Sequence, residues 1–218
     1  MVHGFLRGDD VHRQNIIFGS LILIVSIAIV TAGYVTGKGP LGVISNGILR
    51  LTAGEQMIPS GKVTEETKAP TAPEIASGTW INSEPLTLQG LRGRVVLIEF
   101  WTFACYNCRN TLPTVRKWDT QYRQQGLTII GVHTPELDYE RNVENLRHEV
   151  AGFGIQYPVV TDNDYSTWKA YGVEAWPTLF LIDKQGRLRW MHVGEGGYDE
   201  TEQVIRNLLA EQQALQTS

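Results

Sequence analysis

"FWTFACYNCRNTLP", residues 100–113, contains both cysteines of this 218-residue chain. Cys105 and Cys108 are separated by two residues and follow the apolar, strand-like run 94–101. The segment 105–125 then has the pattern of a helix. Unpaired N–H groups and the positive dipole end at a helix start stabilise a thiolate, so this position is expected to lower the pKa of Cys105. Cys108 is expected one turn further on, buried behind Cys105. The stretch therefore favours a redox-active pair.

Other uses of a cysteine pair fit less well. A structural zinc site needs four ligands, and the five histidines contain no pair at zinc-finger spacing. Covalent haem attachment needs a histidine after the second cysteine, where Arg109 stands. A copper-chaperone site needs a third residue between its thiols, and a peroxiredoxin centre normally has a proline where Ile98 stands. A purely structural disulfide remains an alternative, although closing so short a loop stabilises a fold little. No metal and no cofactor beyond the disulfide are expected.

The composition is that of a folded, slightly acidic protein. Lys and Arg number 19 against 23 Asp and Glu, which gives a formal net charge of −4 and no basic field for nucleic acid. The hydrophobic fraction of 42% is ordinary for a chain that folds around a core. Nucleic-acid binding and overall disorder are therefore excluded as interpretations.

An uncharged apolar run occupies residues 14–37. At ~1.5 Å per residue its 24 residues reach about 36 Å, enough to cross a ~30 Å hydrocarbon layer. The alternative is a removable signal peptide, because Val30 and Ala32 have the small-residue spacing of a cleavage site. The apolar run continues past that site through Tyr34 and Val35, which favours one uncleaved transmembrane helix. Positive residues are balanced on its two sides, so charge does not give the orientation.

Small residues recur every seventh position within this apolar run, at Gly19, Ser26 and Gly33. They would form one stripe on a helix, along which a second membrane helix could approach closely. The alternative is that small residues are simply frequent in membrane helices. The stripe is consistent with contact to a larger membrane protein complex.

The chain divides into four predicted regions: a short tail over 1–13, a transmembrane helix over 14–37, a linker over 38–71 and a folded domain over 72–218. The domain alternates strand and helix signals in the order strand, helix, strand, helix, strand, short helix, hairpin and helix. The predicted elements include amphipathic helices over 135–154 and 200–215. Such alternation predicts an α/β fold with a mixed sheet, parallel strands in its first part and helices on both faces.

The stretches "VLIEFWTFACYNCRNTLP" (96–113) and "WPTLFLIDKQG" (176–186) resemble the thioredoxin superfamily. More narrowly, together with "IIGVHTPE" (129–136), they resemble its membrane-tethered TlpA-like and DipZ-like thiol:disulfide oxidoreductases. The resemblance covers about residues 72–215. It implies a thioredoxin-like fold, with a central mixed β-sheet flanked by helices.

The resemblance also implies roles for the residues around the pair. Cys105 matches the attacking thiol and Cys108 the resolving thiol. Glu99, six residues before Cys105, matches the buried acid of thioredoxin and would take the proton from Cys108. The other interpretation makes Glu99 an ordinary strand residue, although a glutamate inside an apolar strand is costly unless it is paired or functional.

A client-binding role is implied for three further residues. Pro177 matches the family's cis-proline, which would lie against the thiols. The backbone of Trp176 would pair with an extended client segment as an added strand. Trp101 is expected to flank the cleft, although an aromatic residue at a strand end more often packs. His133 could tune the thiolate or be an ordinary surface histidine.

These implications give a single-pass membrane protein whose thioredoxin-like domain exchanges disulfides on the extracytoplasmic, periplasmic side. Expected partners are client proteins with cysteines or disulfides, such as apocytochrome c during cytochrome c biogenesis, and a membrane thiol reductase. Tyr106 and Asn107 stand where thioredoxin has Gly-Pro, so the direction of electron flow stays open. The alternative is an accessory thioredoxin-domain subunit of a respiratory or photosynthetic membrane electron-transfer complex.

Overall fold

The computed structural model describes residues 59–211. The predicted transmembrane helix over 14–37, the tail before it and the linker up to residue 58 lie outside the described residues. Between residues 59 and 211, none of the helices is both long and apolar enough to cross a membrane.

Within this range the chain forms six β-strands and four α-helices. In chain order they are β1 (Trp80–Ile81), β2 (Val95–Trp101), α1 (Tyr106–Tyr122), β3 (Leu127–His133), α2 (Val143–Gly152), β4 (Val159–Thr161), α3 (Ser166–Ala170), β5 (Thr178–Ile182), β6 (Leu188–Val193) and α4 (Tyr198–Ala210). Short 3-10 turns occupy Glu66–Lys68, Arg123–Gln125 and Asp138–Arg141.

The strands form one mixed sheet in the order β1-β4-β3-β2-β5-β6. Strands β2, β3 and β4 are parallel, whereas β5 and β6 are antiparallel to their neighbours and β1 is antiparallel to β4. The predicted mixed sheet with parallel strands in its first part is therefore confirmed. Strand β1 was not predicted, because two residues are too few to give an alternating pattern.

Strand β2 lies at the centre of the sheet and is buried along its whole length. Its alternate side chains point to opposite faces. Leu97 and Trp101 belong to a core that includes α1, α2 and α4, whereas Ile98 and Phe100 belong to a second core on the other face. The second core also contacts α3, so helices cover both faces as predicted.

Two helices begin where a side chain caps the first turn. Cys105 is the N-cap of α1, and the buried face of that helix carries side chains three and four residues apart, among them Cys108, Leu112, Val115 and Trp118. The second helix is shorter than the predicted 135–154. The side chain of Asn142 accepts hydrogen bonds from the N–H groups of Glu144 (2.8 Å) and Asn145 (3.1 Å), which starts α2 at Val143.

The ends of the domain add two details. Part of the predicted linker lies along β6, where Gly61 and Thr64 each donate a 2.8 Å backbone hydrogen bond, to Met191 and Arg189 respectively. At the other end, α4 begins at Tyr198, before the predicted start at 200. The predicted domain limits themselves stay predictions.

Candidate active site

The two cysteines lie at the junction between β2 and α1. They are joined by a disulfide, with their Cα atoms 5.3 Å apart. Cys105 is partly exposed, whereas the side chain of Cys108 is 0% exposed. This is the asymmetry expected of an outer sulfur that meets a partner and an inner sulfur that does not.

The Cys105 sulfur occupies the capping position of α1. It accepts a hydrogen bond from the backbone N–H of Cys108 at 3.2 Å. That N–H is one of the groups that no carbonyl inside the helix can satisfy. After reduction, the same N–H and the positive end of the helix dipole would stabilise a thiolate at Cys105 over the neutral thiol.

Glu99 is fully buried in β2, on the sheet face that α1 covers. Its Oε2 accepts a 2.9 Å hydrogen bond from the hydroxyl of Tyr157, and its Oε1 has no partner among the described residues. Burial raises the pKa of Glu99 to about 7, and the hydrogen bond from Tyr157 offsets part of that rise. The side chain can therefore accept or release a proton near neutral pH.

Gly131 pairs with Glu99 across β2 and β3. A Cβ atom on Gly131 would lie 2.8 Å from Nε1 of Trp101 and 3.3 Å from Cε2 of Tyr157. The missing side chain thus lets the tryptophan and tyrosine rings pack over the strand beside Glu99. A glycine within the run "IIGVH" gave no indication of this contact in the sequence.

The Trp176–Pro177 peptide bond is cis. Pro177 is buried and its carbonyl accepts a 2.8 Å hydrogen bond from the N–H of Gly194. Trp176 is partly exposed, and its indole N–H donates to the carbonyl of Thr134 at 3.1 Å. Both Cys105 and the Trp176 side chain pack against the same core. Within residues 59–211, the backbone N–H and C=O of Trp176 have no hydrogen-bond partner.

Trp101 does not lie where it was predicted. Its side chain is 0% exposed and contacts His133 and Phe153, with ring centroids 5.4 and 6.4 Å apart. The ring of Trp101 lies beneath the site because β2 is buried on both faces and neighbouring aromatic rings cover the tryptophan. In this conformation Trp101 offers no surface to a client, so its place is in packing and not at the cleft wall.

His133 is also buried, in contrast to the alternative of a surface histidine. Its ring stacks on Phe103, with centroids 5.3 Å apart, and its Nε2 lies 3.2 Å from Oγ1 of Thr102. Burial lowers the pKa of His133 to about 4, although the charge of Glu140 acts in the opposite direction. At neutral pH the imidazole is therefore uncharged.

Glu140 is a site residue that the sequence did not reveal. It belongs to the Asp138–Arg141 turn, yet its side chain is only 1% exposed and reaches the loop before Cys105. In the sequence it stands in "PELDYER", a polar stretch that is typical of a solvated surface. Among residues 59–211, no three His, Cys, Asp or Glu side chains are grouped so that they could hold a metal ion.

Comparison with known proteins places the chain among thiol-disulfide proteins. The model of the AhpC/TSA family matches residues 68–191, more than half of the chain. Protein DipZ of Mycobacterium tuberculosis is 43% identical over 143 residues, which are 64% of this chain and 21% of the DipZ protein. The chain thus spans about a fifth of that relative. Thiol-disulfide oxidoreductase ResA of Halalkalibacterium halodurans is 30% identical over 131 residues, 59% of this chain and 68% of ResA.

Solved structures agree with these relatives. The crystal structure of the thioredoxin-like superfamily protein SPOA0173 has a TM-score of 0.62 and 31% sequence identity, and the match covers 66% of this chain and 99% of that one. The predicted thioredoxin-like fold is therefore confirmed for this domain. Relatives and structural neighbours of this domain are named thiol-disulfide oxidoreductases or interchange proteins, which agrees with the predicted enzyme class, a thioredoxin-like thiol:disulfide oxidoreductase.

Proposed function

The chain belongs to the AhpC/TSA family, and from that premise we propose that it exchanges disulfides with client proteins through Cys105 and Cys108. We further propose that it does so on the extracytoplasmic side of a membrane, held there by the apolar segment 14–37. The observation that carries the proposal is the contrast between a partly exposed Cys105 sulfur at a helix start and a fully buried Cys108 sulfur.

The reaction begins with the reduced pair. The thiolate of Cys105 attacks one sulfur of a client disulfide, a mixed disulfide forms, and the other client sulfur leaves as a thiolate. Cys108 then attacks the Cys105 sulfur, which releases the second client thiolate and restores the Cys105–Cys108 disulfide. Two electrons pass from the protein dithiol to the client disulfide. The reverse sequence would oxidise a client dithiol.

Cys108 needs a proton acceptor for the second step because a buried thiol is disfavoured as a thiolate. Glu99 lies on the same face of the sheet as α1, and its pKa of about 7 suits proton transfer at neutral pH. We assign it this role. After oxidation the protonated carboxyl would be stable in the core, because burial disfavours its charged form.

Client recognition would use the edge of the cleft at Trp176. Its unpaired backbone groups can accept an extended segment as an added strand, which holds a client disulfide at a fixed height above Cys105. Tyr106, between the two cysteines, is 76% exposed and adds an aromatic contact surface beside the sulfur. Together these groups select for an extended peptide segment more than for a particular side chain.

These 218 residues contain no third cysteine, so after each turnover the pair must exchange electrons with a thiol or disulfide that lies outside them. A membrane-embedded thiol reductase would supply electrons if the domain reduces its clients. Apocytochrome c is one client class of suitable chemistry, since its haem-binding cysteines must be reduced before haem attachment.

A trapping experiment tests the catalytic proposal. The Cys108→Ala variant, reduced and mixed with a disulfide-bonded peptide, should form a covalent conjugate that a reductant releases. The Cys105→Ala, Cys108→Ala double variant is the matched control and should form none. The wild-type protein should reduce insulin disulfides with a chemical reductant as electron source. Absence of conjugates from the single variant, together with absence of insulin reduction, would exclude the proposed activity.

Two further measurements address direction and location. Equilibration of the Cys105–Cys108 pair with glutathione gives the reduction potential of the pair. This potential determines whether reduction or oxidation of clients is favoured. In the Cys108→Ala variant, which cannot form the internal disulfide, labelling of Cys105 by a membrane-impermeant maleimide in intact cells should succeed if the domain lies outside the cytoplasm. Labelling only after cell lysis would contradict the proposed location.

A further inference from the structure

Four hydrogen-bond donors converge on the buried carboxylate of Glu140. Its Oε1 accepts from the hydroxyl of Thr102, in a short hydrogen bond, and from the N–H of Ala104 at 3.0 Å. Its Oε2 accepts from the N–H groups of Glu136 at 2.8 Å and Leu137 at 2.7 Å. One side chain thus joins the loop after β2 to the loop after β3.

These contacts favour the ionised form of Glu140. A carboxylate only accepts hydrogen bonds, and all four partners here donate. Burial by itself would raise the pKa of Glu140, but the bonds from Thr102 and from three backbone N–H groups lower it below its ordinary value. The negative charge is therefore retained at neutral pH although the side chain is buried.

The loop that Glu140 holds is the one that presents Cys105. The N–H of Cys105 donates a 3.3 Å hydrogen bond to the carbonyl of Thr102, so 102–105 form a tight turn. Glu140 binds this turn at two points, the Thr102 hydroxyl and the N–H of Ala104. Movement of the turn would move the sulfur away from the N–H of Cys108, 3.2 Å distant, that would stabilise its thiolate.

We infer that Glu140 is a positioning residue for the reaction of Cys105: its carboxylate fixes the 102–104 turn and thereby holds the sulfur at the start of α1. The inference rests on the proposed thiol-disulfide exchange. A purely electrostatic role would work in the other direction, because a nearby negative charge disfavours a thiolate. The effect of Glu140 on the position of the Cys105 sulfur can therefore be separated by experiment from the effect of its negative charge.

The informative variants are Glu140→Asp and Glu140→Gln. Aspartate keeps the charge but is one methylene shorter, so it cannot reach all four donors. Glutamine keeps the length but loses the charge and has an NH2 group in place of one acceptor oxygen. Asp183→Asn is a control for the loss of a buried carboxylate charge away from the site: Asp183 is 1% exposed, accepts from the N–H groups of Gln185 and Arg187, and pairs with the guanidinium groups of Arg187 and Arg189. It follows β5 at the opposite end of the sheet from the cysteines.

The reduced full-length proteins are compared in iodoacetamide alkylation of Cys105 across a pH series, and in reaction with a disulfide-bonded peptide. Circular dichroism at the same temperature establishes that each is folded. We expect Glu140→Asp to raise the apparent pKa of Cys105 and to slow both reactions on the order of tenfold, because a small displacement of a reacting group is costly. Glu140→Gln should slow peptide exchange similarly, while Asp183→Asn should stay within about twofold of wild type.

A second pair of variants covers the case in which Glu140 variants do not fold. Thr102→Val removes one donor to Glu140 and should slow Cys105 alkylation, whereas Thr102→Ser keeps the hydroxyl and should restore it. Wild-type alkylation profiles in Glu140→Asp and Thr102→Val, with only a lower melting temperature, would overturn the inference. So would a change confined to Glu140→Gln, which would show that charge alone matters. Alkylation does not need a client, so it reports on Glu140 even if the proposed function fails.

Discussion

The hydroxyl of Tyr157 donates a 2.9 Å hydrogen bond to Oε2 of Glu99 in the interior of the domain, across 58 positions of sequence. The tyrosine is 0% exposed and precedes β4, while the glutamate lies in β2. The bond satisfies one carboxyl oxygen of a side chain that burial would otherwise leave unpaired. It also sets how readily Glu99 binds a proton, because a hydrogen bond to the charged form favours that form.

Substitution Tyr157→Phe should therefore raise the pKa of Glu99 above its value of about 7. Burial continues to disfavour the carboxylate, and the hydrogen bond that opposes this effect is lost. The measurement is a pH titration of the Glu99 side-chain carbon by NMR in the oxidised protein. Tyr171→Phe is the control, because the Tyr171 hydroxyl donates to the carbonyl of Pro73 at 2.8 Å and its ring belongs to the other core. An unchanged Glu99 titration in Tyr157→Phe would contradict the assigned cause.

The stability of the domain should depend on pH through Glu99. The folded pKa of about 7 lies above the ordinary value of 4.5, so the folded state binds the proton more tightly than the unfolded state. The stabilisation of the folded state by this tighter proton binding is fully present below about pH 4.5 and is lost as the pH rises through about 7. Relative to Glu99→Gln, the free energy of unfolding of the wild type should fall by roughly 3 kcal/mol between about pH 4 and pH 8.

Urea denaturation of the two oxidised proteins at a series of pH values checks this difference.

The contribution of His133 to the stability of the domain has the opposite pH dependence. Its folded pKa of about 4 lies below 6.5, so its contribution is present above about pH 6.5 and is lost as the pH falls through about 4. Both proteins contain His133, so subtraction of one curve from the other isolates Glu99. Parallel curves for wild type and Glu99→Gln would show that the carboxyl is not buried in its neutral form.

The main features of the site could be predicted from local sequence. A cysteine at the end of an apolar strand and the start of a helix must occupy a capping position, and its neighbour one turn later must face the core. Glu99 was identified by its match to the buried acid of thioredoxin, and its place inside an apolar strand favoured a functional role over an ordinary one.

The rest of the site depends on contacts between distant segments. Glu140 looks solvated in "PELDYER" and becomes buried only because the loop after β3 meets the loop after β2. Trp101 ends a strand and was expected at the cleft, but Phe153 from beyond α2 covers it. The burial of Glu140 and of Trp101 does not follow from the spacing of apolar residues in the sequence. It depends on which loops the parallel strands bring together at one edge of the sheet.

Gly131 should be intolerant of even one methyl group. In Gly131→Ala the new Cβ would lie 2.8 Å from Nε1 of Trp101 and 3.3 Å from Cε2 of Tyr157, so the rings or the strand must shift. We expect a loss of about 1–3 kcal/mol in the free energy of unfolding, with a changed fluorescence of Trp101. Gly152→Ala is the control, because nothing lies within 4 Å of its Cβ position and alanine favours a helix. Equal free energies of unfolding for the two variants would show that the Trp101 and Tyr157 rings move away from the new methyl group without loss of stability.

His133 should be a neutral imidazole with its proton on Nε2. The Thr102 hydroxyl has one proton, which it donates to the Glu140 carboxylate, so its oxygen can only accept from Nε2 of His133. The lone pair then lies on Nδ1, which has no partner among the described residues. Long-range proton–nitrogen NMR spectra should show this tautomer unchanged from pH 8 down to about 5, consistent with a pKa lowered to about 4. His148, whose side chain is 85% exposed, is the internal reference in the same spectra. A neutral ring with its proton on Nδ1 would mean that Thr102 donates to Nε2 of His133 and not to Glu140. A charged ring at neutral pH would contradict the lowered pKa of His133.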